Sequence, residues 1–348
     1  MKTRSTESFT SSKLAYYFSA LEAEELVEFR NWLISPIQAS KKGQHLLLYL
    51  LQERLKDQLD AVTHTHLGQL FTLDAVKEMP KLAKEYYIAT NLLHEYFAWK
   101  AYQKDEASKN AYLAEALLAR GKTKYFPSHM PKLLLHPRCT DDKALAANIK
   151  LHAAMYDFQL ASAGRSQEMT VQPTLDGIDV HYVNQKLKFF CRALNQDKIL
   201  DTSHVYRLEM EIFQLVQAEE PDFPPLVNAY LAAYRMLKEP DDSSHFDCLF
   251  TLFSEGKKHF GISDSKELLA HLLNYCVRKV NTGELAYSKA RNSLYNIGLE
   301  EGVLFEGSGG LSPETYKNIA FSFIDDGDIV AALSFVERYR DSIVLEGS

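Results

Sequence analysis

Apolar residues recur along this chain at spacings of three and four, the period of one face of an α-helix, and no segment shows the alternation expected of a strand. The first such pattern opens at Ser19, with Glu22 three positions on, a spacing that predicts a capping box. It carries Leu26, Phe29, Trp32 and Leu33 on one face and stops at Ser35-Pro36, because the residue before a proline is driven out of the helical region. A leucine-dense helix is predicted over 44–59, then a looser stretch. A long helix over 81–104 begins just after Pro80. It carries Leu82, Tyr86, Ala89, Leu93 and Tyr96 on one stripe and Ile88, Leu92, Trp99 and Tyr102 on another. A helix apolar on two sides belongs between neighbours, so this one is expected at the centre of an N-terminal helical bundle. After a helix over 107–120, Pro127, Pro131 and Pro137 rule out one uninterrupted helix, and the bundle is expected to end there, at 1–135.

The region 136–348 reads as helical hairpins. Helices are predicted over 143–163, 180–194 and 204–216, with 165–179 as plain loop between the first two. Six more follow at 225–238, 244–260, 264–280, 284–302, 313–325 and 328–342. Their turns at Asp241, Gly283 and Gly327 recur at spacings of 42 and 44 residues, a helical-repeat period. The expected fold class is therefore all-α: an N-terminal helical bundle followed by a right-handed solenoid of antiparallel helical hairpins.

In the last pair, Tyr316, Ile319, Ala320 and Phe323 on the first helix, Gly327-Asp328 at the turn and Ala332 on the second resemble a tetratricopeptide-type repeat. Two alanines let antiparallel helices approach, and two aromatic side chains fill the groove to the next hairpin. Leu272, Tyr275, Cys276 and Gly283 make a weaker second copy, and no strict 34-residue array is present. The segments LEAEELVEFRNWLISP, EMPKLAKEYYIATNLLHEYFAWK and YKNIAFSFIDDGDIVAALSFVERYRDSI also resemble a group of bacterial proteins, chiefly from Bacteroidetes, that join a helical N-terminal region to tetratricopeptide-like repeats. That group has no established activity, so the resemblance implies a fold and not a function. Its members continue for several more helices, which implies that this chain, ending at Val344-Leu345-Glu346-Gly347-Ser348, is a shortened or truncated form.

Charge and composition narrow the function classes. With 39 basic and 46 acidic residues the net charge is −7, which argues against a protein whose main task is neutralising phosphates. Cys139, Cys191, Cys248 and Cys276 form no Cys-x-x-Cys pair, so neither a zinc knuckle nor a redox pair is expected. The polar N-terminus has no secretory signal pattern and no window is apolar enough to span a membrane, from which a soluble, cytoplasmic protein is expected.

Motifs that imitate chemistry fail on their surroundings. Gly121-Lys122-Thr123 has Ala116 where a phosphate-binding loop needs glycine. Gly307, Gly309 and Gly310 before Ser312-Pro313 read as a connector ending in a helix cap. Asp325, Asp326 and Asp328 around Gly327 would need ligands at Ser322, Ile324 and Leu333 to bind calcium, so a turn is expected. His64 and His66 read as a surface pair lacking carboxylates at ligand spacing, and no nucleophile elbow, His-Glu-x-x-His or Glu-x-x-His sequence occurs. No cofactor and no metal are expected.

What remains is binding. The leading expectation is a protein-interaction scaffold that holds a peptide or partner helix in a groove built by the first helices of successive hairpins. The candidate groove positions are Asn228, Tyr230, Asn274, Arg278 and Asn318. Two alternatives stand beside it. One is a nucleic-acid-associated regulator using Lys186, Lys188 and Arg192 with Phe189 and Phe190, although those aromatic residues read first as core. The other is an enzyme whose site is dispersed over helices. The last helix presents Ile329, Ala332, Leu333 and Val336 with nothing beyond to cover them, so a partner, self-association or a further segment is expected at the C-terminal hairpin.

Overall fold

The computed structural model describes residues 9–38, 43–75, 77–134, 142–162, 171–218, 223–256, 260–306 and 309–343. Among them the chain is all-α. The helices are α1 (Lys13–Ser19), α2 (Glu25–Leu33), α3 (Gln44–Leu55), α4 (His64–Leu70), α5 (Met79–Lys104), α6 (Glu106–Ala119), α7 (Phe126–Leu133) and α8 (Asp142–Ser162). They continue as α9 (Gln172–Leu200), α10 (Glu209–Ala218), α11 (Pro225–Lys238), α12 (Ser243–Gly256), α13 (Ile262–Asn281), α14 (Ala286–Glu300), α15 (Pro313–Asp325) and α16 (Ile329–Tyr339). No described helix is long and apolar enough to cross a membrane. The chain divides into two compact units, Met1–Lys109 and Asn110–Ser348.

The N-terminal unit is built on α5, against which α1 and α3 pack. The first apolar stripe of α5, Leu82, Tyr86, Ala89, Leu93 and Tyr96, is buried throughout, whereas of the second only Leu92 is, and Tyr102 is exposed. Tyr96 meets Phe29 and Trp32 at ring distances of 4.7 and 5.5 Å, which ties α2 into the same core. Ser19 does not open the first helix. It is the last residue of α1, which begins earlier behind Ser12, whose hydroxyl accepts from the Ala15 amide; Glu22 in turn is bonded through its own amide to Glu25. At the C-terminal end of α1 and just beyond it, Arg54 donates to the Phe18 and Leu21 carbonyls at 2.8 and 2.7 Å. His64 and His66 are not a surface pair. His64 is buried against the Tyr86 hydroxyl at 2.7 Å, and His66 closes a capping box with Thr63.

In the C-terminal unit successive helices pack one on the next, α8 on α9, α11 on α12, α12 on α13, and so on to α16, with α9 and α13 also flanking α11. That is a helical stack of solenoid type. Its hub is α11, enclosed by α9, α12 and α13, so that nearly its whole surface is apolar and buried, from Leu226 to Leu237. The unit begins ahead of the 135/136 boundary expected from the prolines. Ala114 of α6 and Phe126 and Met130 of α7 share a small core with Leu151 and Ala154 of α8, which draws α7 and α6 from Asn110 onward into this unit.

Two stretches depart from the expected helices. Residues 172–179, expected as loop, are the first two turns of α9. Pro173 fits there because a first turn needs no amide donor, and Gly177 lets Ile149 of α8 come close. Residues 204–208, expected as helix, are not helical: the Asp197 carboxylate takes hydrogen bonds from Thr202, His204 and Tyr206, and Leu208 turns the chain at φ +64°. The predicted turns at Gly283 and Gly327 do stand at positive φ, +96° and +78°. Cys139, Pro137, Gly307 and Val344–Ser348 lie outside the described residues.

Candidate functional site

One face of α13 carries Glu267, Ala270, His271, Asn274 and Val277, while the opposite face, Leu268, Leu269, Leu272, Tyr275 and Cys276, is core. The spacing of three and four puts these polar and small residues in one line. On α15 the line Thr315, Asn318, Phe321 and Asp325 faces it, while Ile319 and Phe323 point to the core. Between the two lines lies an open cavity of about 440 Å³, with Arg291 and Tyr295 of α14 also in its wall. On the other side of α13 a second cavity of about 380 Å³ is closed by Arg192, Gln196, Ile199 and Leu200 of α9. Both cavities are lined by Ala270 and Asn274, so they adjoin at α13.

The charged side chains of the groove are tied down. Arg192 donates two hydrogen bonds to Glu267, each 2.7 Å, in the bidentate geometry that a guanidinium and a carboxylate favour. Arg291 is only 7% exposed; it donates to the Ser322 carbonyl at 3.3 Å and lies 3.6 Å from Asp325. Its Nε has no hydrogen-bond partner. Beside it, Ser322 donates to Asn292, and Asn292 donates to Asp326 at 3.1 Å, which fixes α15 on α14. His271 is 5% exposed and its Nε2 is unpartnered; burial holds it below its ordinary pKa, although the Glu267 charge works the other way, so the ring is neutral. By contrast the surface between the pairs is apolar and open: Ile199, Leu200 and Phe321 are 70%, 60% and 53% exposed.

The predicted site residues separate. Asn274 and Asn318 are exposed and line the same groove from facing helices. Arg278 lies one turn beyond Asn274 on α13, half-buried and outside both cavities. Asn228 belongs to a different pocket, about 300 Å³, with Arg235, His245 and Cys248. Tyr230 is not a groove residue. It is fully buried because α9 and α13 pack on the side of α11 that carries it, and its hydroxyl donates to Asp264 at 2.7 Å. Arg192, Glu267, His271, Arg291 and Phe321 were missed as groove residues. The signal for those on α13 is in the sequence, a polar stripe at the helical period beside an apolar one, while for the others only the tertiary pairing of α9, α14 and α15 with α13 reveals the face.

The basic and aromatic cluster of α9 is engaged. Lys188 is buried between Asp264, at 2.6 Å, and Asp142, at 3.5 Å, and Arg192 is held by Glu267. Lys186 lies over the Phe190 ring and Arg192 over Phe189. One further group of ligand type occurs among the described residues: Glu239, Asp242 and His245, their donor atoms within 4.8 Å of one another. Glu239 and Asp242 are exposed and His245 is half-buried, its Nε2 at 3.1 Å from Glu239 and 3.6 Å from Asp242. Cys276 faces the core beneath the groove, and burial pushes its thiol up to about 12, out of nucleophilic range.

Comparison with protein-family models finds no match, and comparisons with curated proteins and with solved structures find none either.

Proposed function

We propose that this chain is a protein-interaction module whose α9–α13–α15 groove holds a peptide segment or helix of a partner protein. The observation that carries this reading is the adjoining of two cavities at Ala270 and Asn274, with open apolar anchors and exposed amides around them. Amides on facing helices suit the hydrogen-bonding needs of a peptide backbone, and apolar anchors supply the affinity. Burying what is still exposed of Phe321, Ile199 and Leu200 contributes about 1–2 kcal/mol each. Set against the cost of ordering the two partners, that is of the order of micromolar rather than picomolar binding. The stacked hairpins from α11 to α16, the last two with positive-φ glycines at their turns, support a tetratricopeptide-like repeat as the scaffold.

The test is Ala270→Phe together with photo-crosslinking. Ala270 is exposed, so the larger side chain fills the junction of the two cavities without entering the core. A photoreactive residue at Asn274 or Asn318 is expected to link to the same peptide segment of the same protein, and Ala270→Phe to abolish both links. Crosslinks that persist at full yield in Ala270→Phe, or that map to unrelated segments, would refute the groove.

A further inference from the structure

Where α11 gives way to α12, three side chains of metal-ligand type converge. Glu239 is the C-cap of α11, Asp242 immediately precedes α12 and His245 lies in the first turn of α12, each three residues after the last. His245 Nε2 is 3.1 Å from Glu239 Oε2 and 3.6 Å from Asp242 Oδ2, and the donor atoms of all three fall within 4.8 Å of one another. Two ligands at about 2.0–2.2 Å from one zinc-type ion stand about 2.8–3.6 Å apart, from right-angled to tetrahedral geometry, so both separations fit donors that share an ion. An ion pair alone leaves the set unbalanced. One imidazole N–H can point to only one of the two carboxylates, and among the described residues no lysine or arginine pairs with either. Two carboxylates thus face a single imidazolium at most, and a divalent cation supplies the missing charge.

We propose that Glu239, Asp242 and His245 hold a divalent transition-metal ion of zinc type, which clips the start of α12 to the end of α11. The frame for it is built. The Asp242 amide donates to the Glu239 carbonyl at 3.2 Å, and the Tyr275 hydroxyl of α13 donates to the Pro240 carbonyl at 3.0 Å, which fixes the connecting turn. The Ser244 amide donates to Asp242 Oδ1 at 2.9 Å, orienting that carboxylate and leaving Oδ2 for the ion. The Glu239 and Asp242 side chains are 63% and 53% exposed, so they can close on an ion without disturbing the core, while His245 at 18% is the ligand held in place. Calcium and magnesium favour oxygen ligands throughout, and the imidazole shifts the preference to a zinc-type ion. Three protein ligands leave a fourth position open. The set escapes a search for ligands along one helix, because Glu239 belongs to the helix before the turn.

The experiment is calorimetric titration of Zn²⁺ into the untagged full chain, first stripped with a chelator, and into Glu239→Gln, Asp242→Asn and His245→Ala, each shown by circular dichroism to be folded. One ion per chain is expected at an affinity on the order of micromolar, since three ligands at a surface bind more weakly than a closed set of four. Each of the three variants should weaken it at least about tenfold. Asp242→Asn is the cleanest of them, because asparagine keeps the helix cap and removes only the charge. Zn²⁺ should also raise the melting temperature of the parent and leave that of His245→Ala where it is. Cys248, exposed one turn beyond His245 on α12, is the control, and Cys248→Ser should bind as the parent does. Zn²⁺ that fails to bind in this range, or that binds the three variants as tightly as the parent, would overturn the site. Loss of binding in Cys248→Ser would overturn it too, because a thiol and not this set would then hold the ion.

Discussion

Removing Asp264 should cost as much stability as truncating a large apolar side chain of the core around it. Asp264 is 3% exposed, and one of its oxygens accepts from both Lys188, at 2.6 Å, and Tyr230, at 2.7 Å, so that a single carboxylate joins α9, α11 and α13. In Asp264→Ala the Lys188 ammonium stays buried with only Asp142 at 3.5 Å, and the Tyr230 hydroxyl keeps a 3.4 Å contact to Glu267. Breaking a buried ion pair costs about 3–5 kcal/mol, and the residual partners reduce this to about 2–4 kcal/mol. Replacing both partners, as in Lys188→Met with Asp264→Leu, should cost clearly less than the sum of the single changes, because no charge is left stranded. Urea unfolding followed by circular dichroism gives the energies, and hydrogen exchange should show lost protection in peptides of α9, α11 and α13. A single substitution within about 1 kcal/mol of the parent, or strict additivity in the double variant, would show that the buried charges are not coupled as the distances imply. The same site sets an alkaline limit. Burial disfavours the ammonium, but the Asp264 hydrogen bond and the nearby carboxylates outweigh it and raise Lys188 above its ordinary 10.5. Its contribution is therefore complete below that value and is lost as pH rises through the raised one.

Three further outcomes are expected. Arg54→Met, which keeps the aliphatic stem and removes the guanidinium, should destabilise the N-terminal unit by about 1–3 kcal/mol, since the Phe18 and Leu21 carbonyls lose charged donors; tryptophan fluorescence, which reports on Trp32 and Trp99 there, follows it. Gly43→Ala should cost about 2 kcal/mol or more in the same assay, because Gly43 has φ +91° and a Cβ would come within 3.0 Å of the Ala89 backbone on α5. At Asp197 burial opposes the charge, but bonds from Tyr206, His204 and Thr202 prevail and hold the carboxyl at about 2, so its contribution is present above an ordinary 3.8 and lost as pH falls towards 2. Asp197→Asn should flatten that acid limb in the exchange rates of residues 202–208, and unchanged limbs would refute the assignment.

The helices were legible in the sequence where apolar residues recur at the helical period behind a clear first-turn signal. Residues 225–238 and 313–325 were read to the residue, since Pro225 and Pro313 mark first turns and apolar periodicity fills the rest. What was not legible depended on partners far along the chain. Pro173 and Gly177 spoke for a loop, and the packing of α8 overrode them. His204 to Leu208 continued an apolar period, and the Asp197 carboxylate on the preceding helix held them out of it. His64 gave no sign that a tyrosine 22 residues further on would bury it.

The predicted groove residues divide for one physical reason. A polar or amphipathic residue on the first helix of a hairpin is exposed only if that helix has a free side, and a sequence does not say which helices have one. α13 and α15 each keep one, so Asn274 and Asn318 face each other across open space. α11 is open only along Asn228, Leu231, Ala232 and Arg235, and on the side that α9 and α13 cover the amphipathic Tyr230 becomes a core residue whose hydroxyl needs Asp264 as acceptor. The burial of Tyr230 and the groove beside α11 are thus one arrangement. The Asp264 face of α13 is drawn inward by Lys188 and Tyr230, and one turn later the same helix offers Glu267 to Arg192 and then opens at Ala270. The buried charges orient α13 about its axis, and that orientation is what turns Asn274 to the groove.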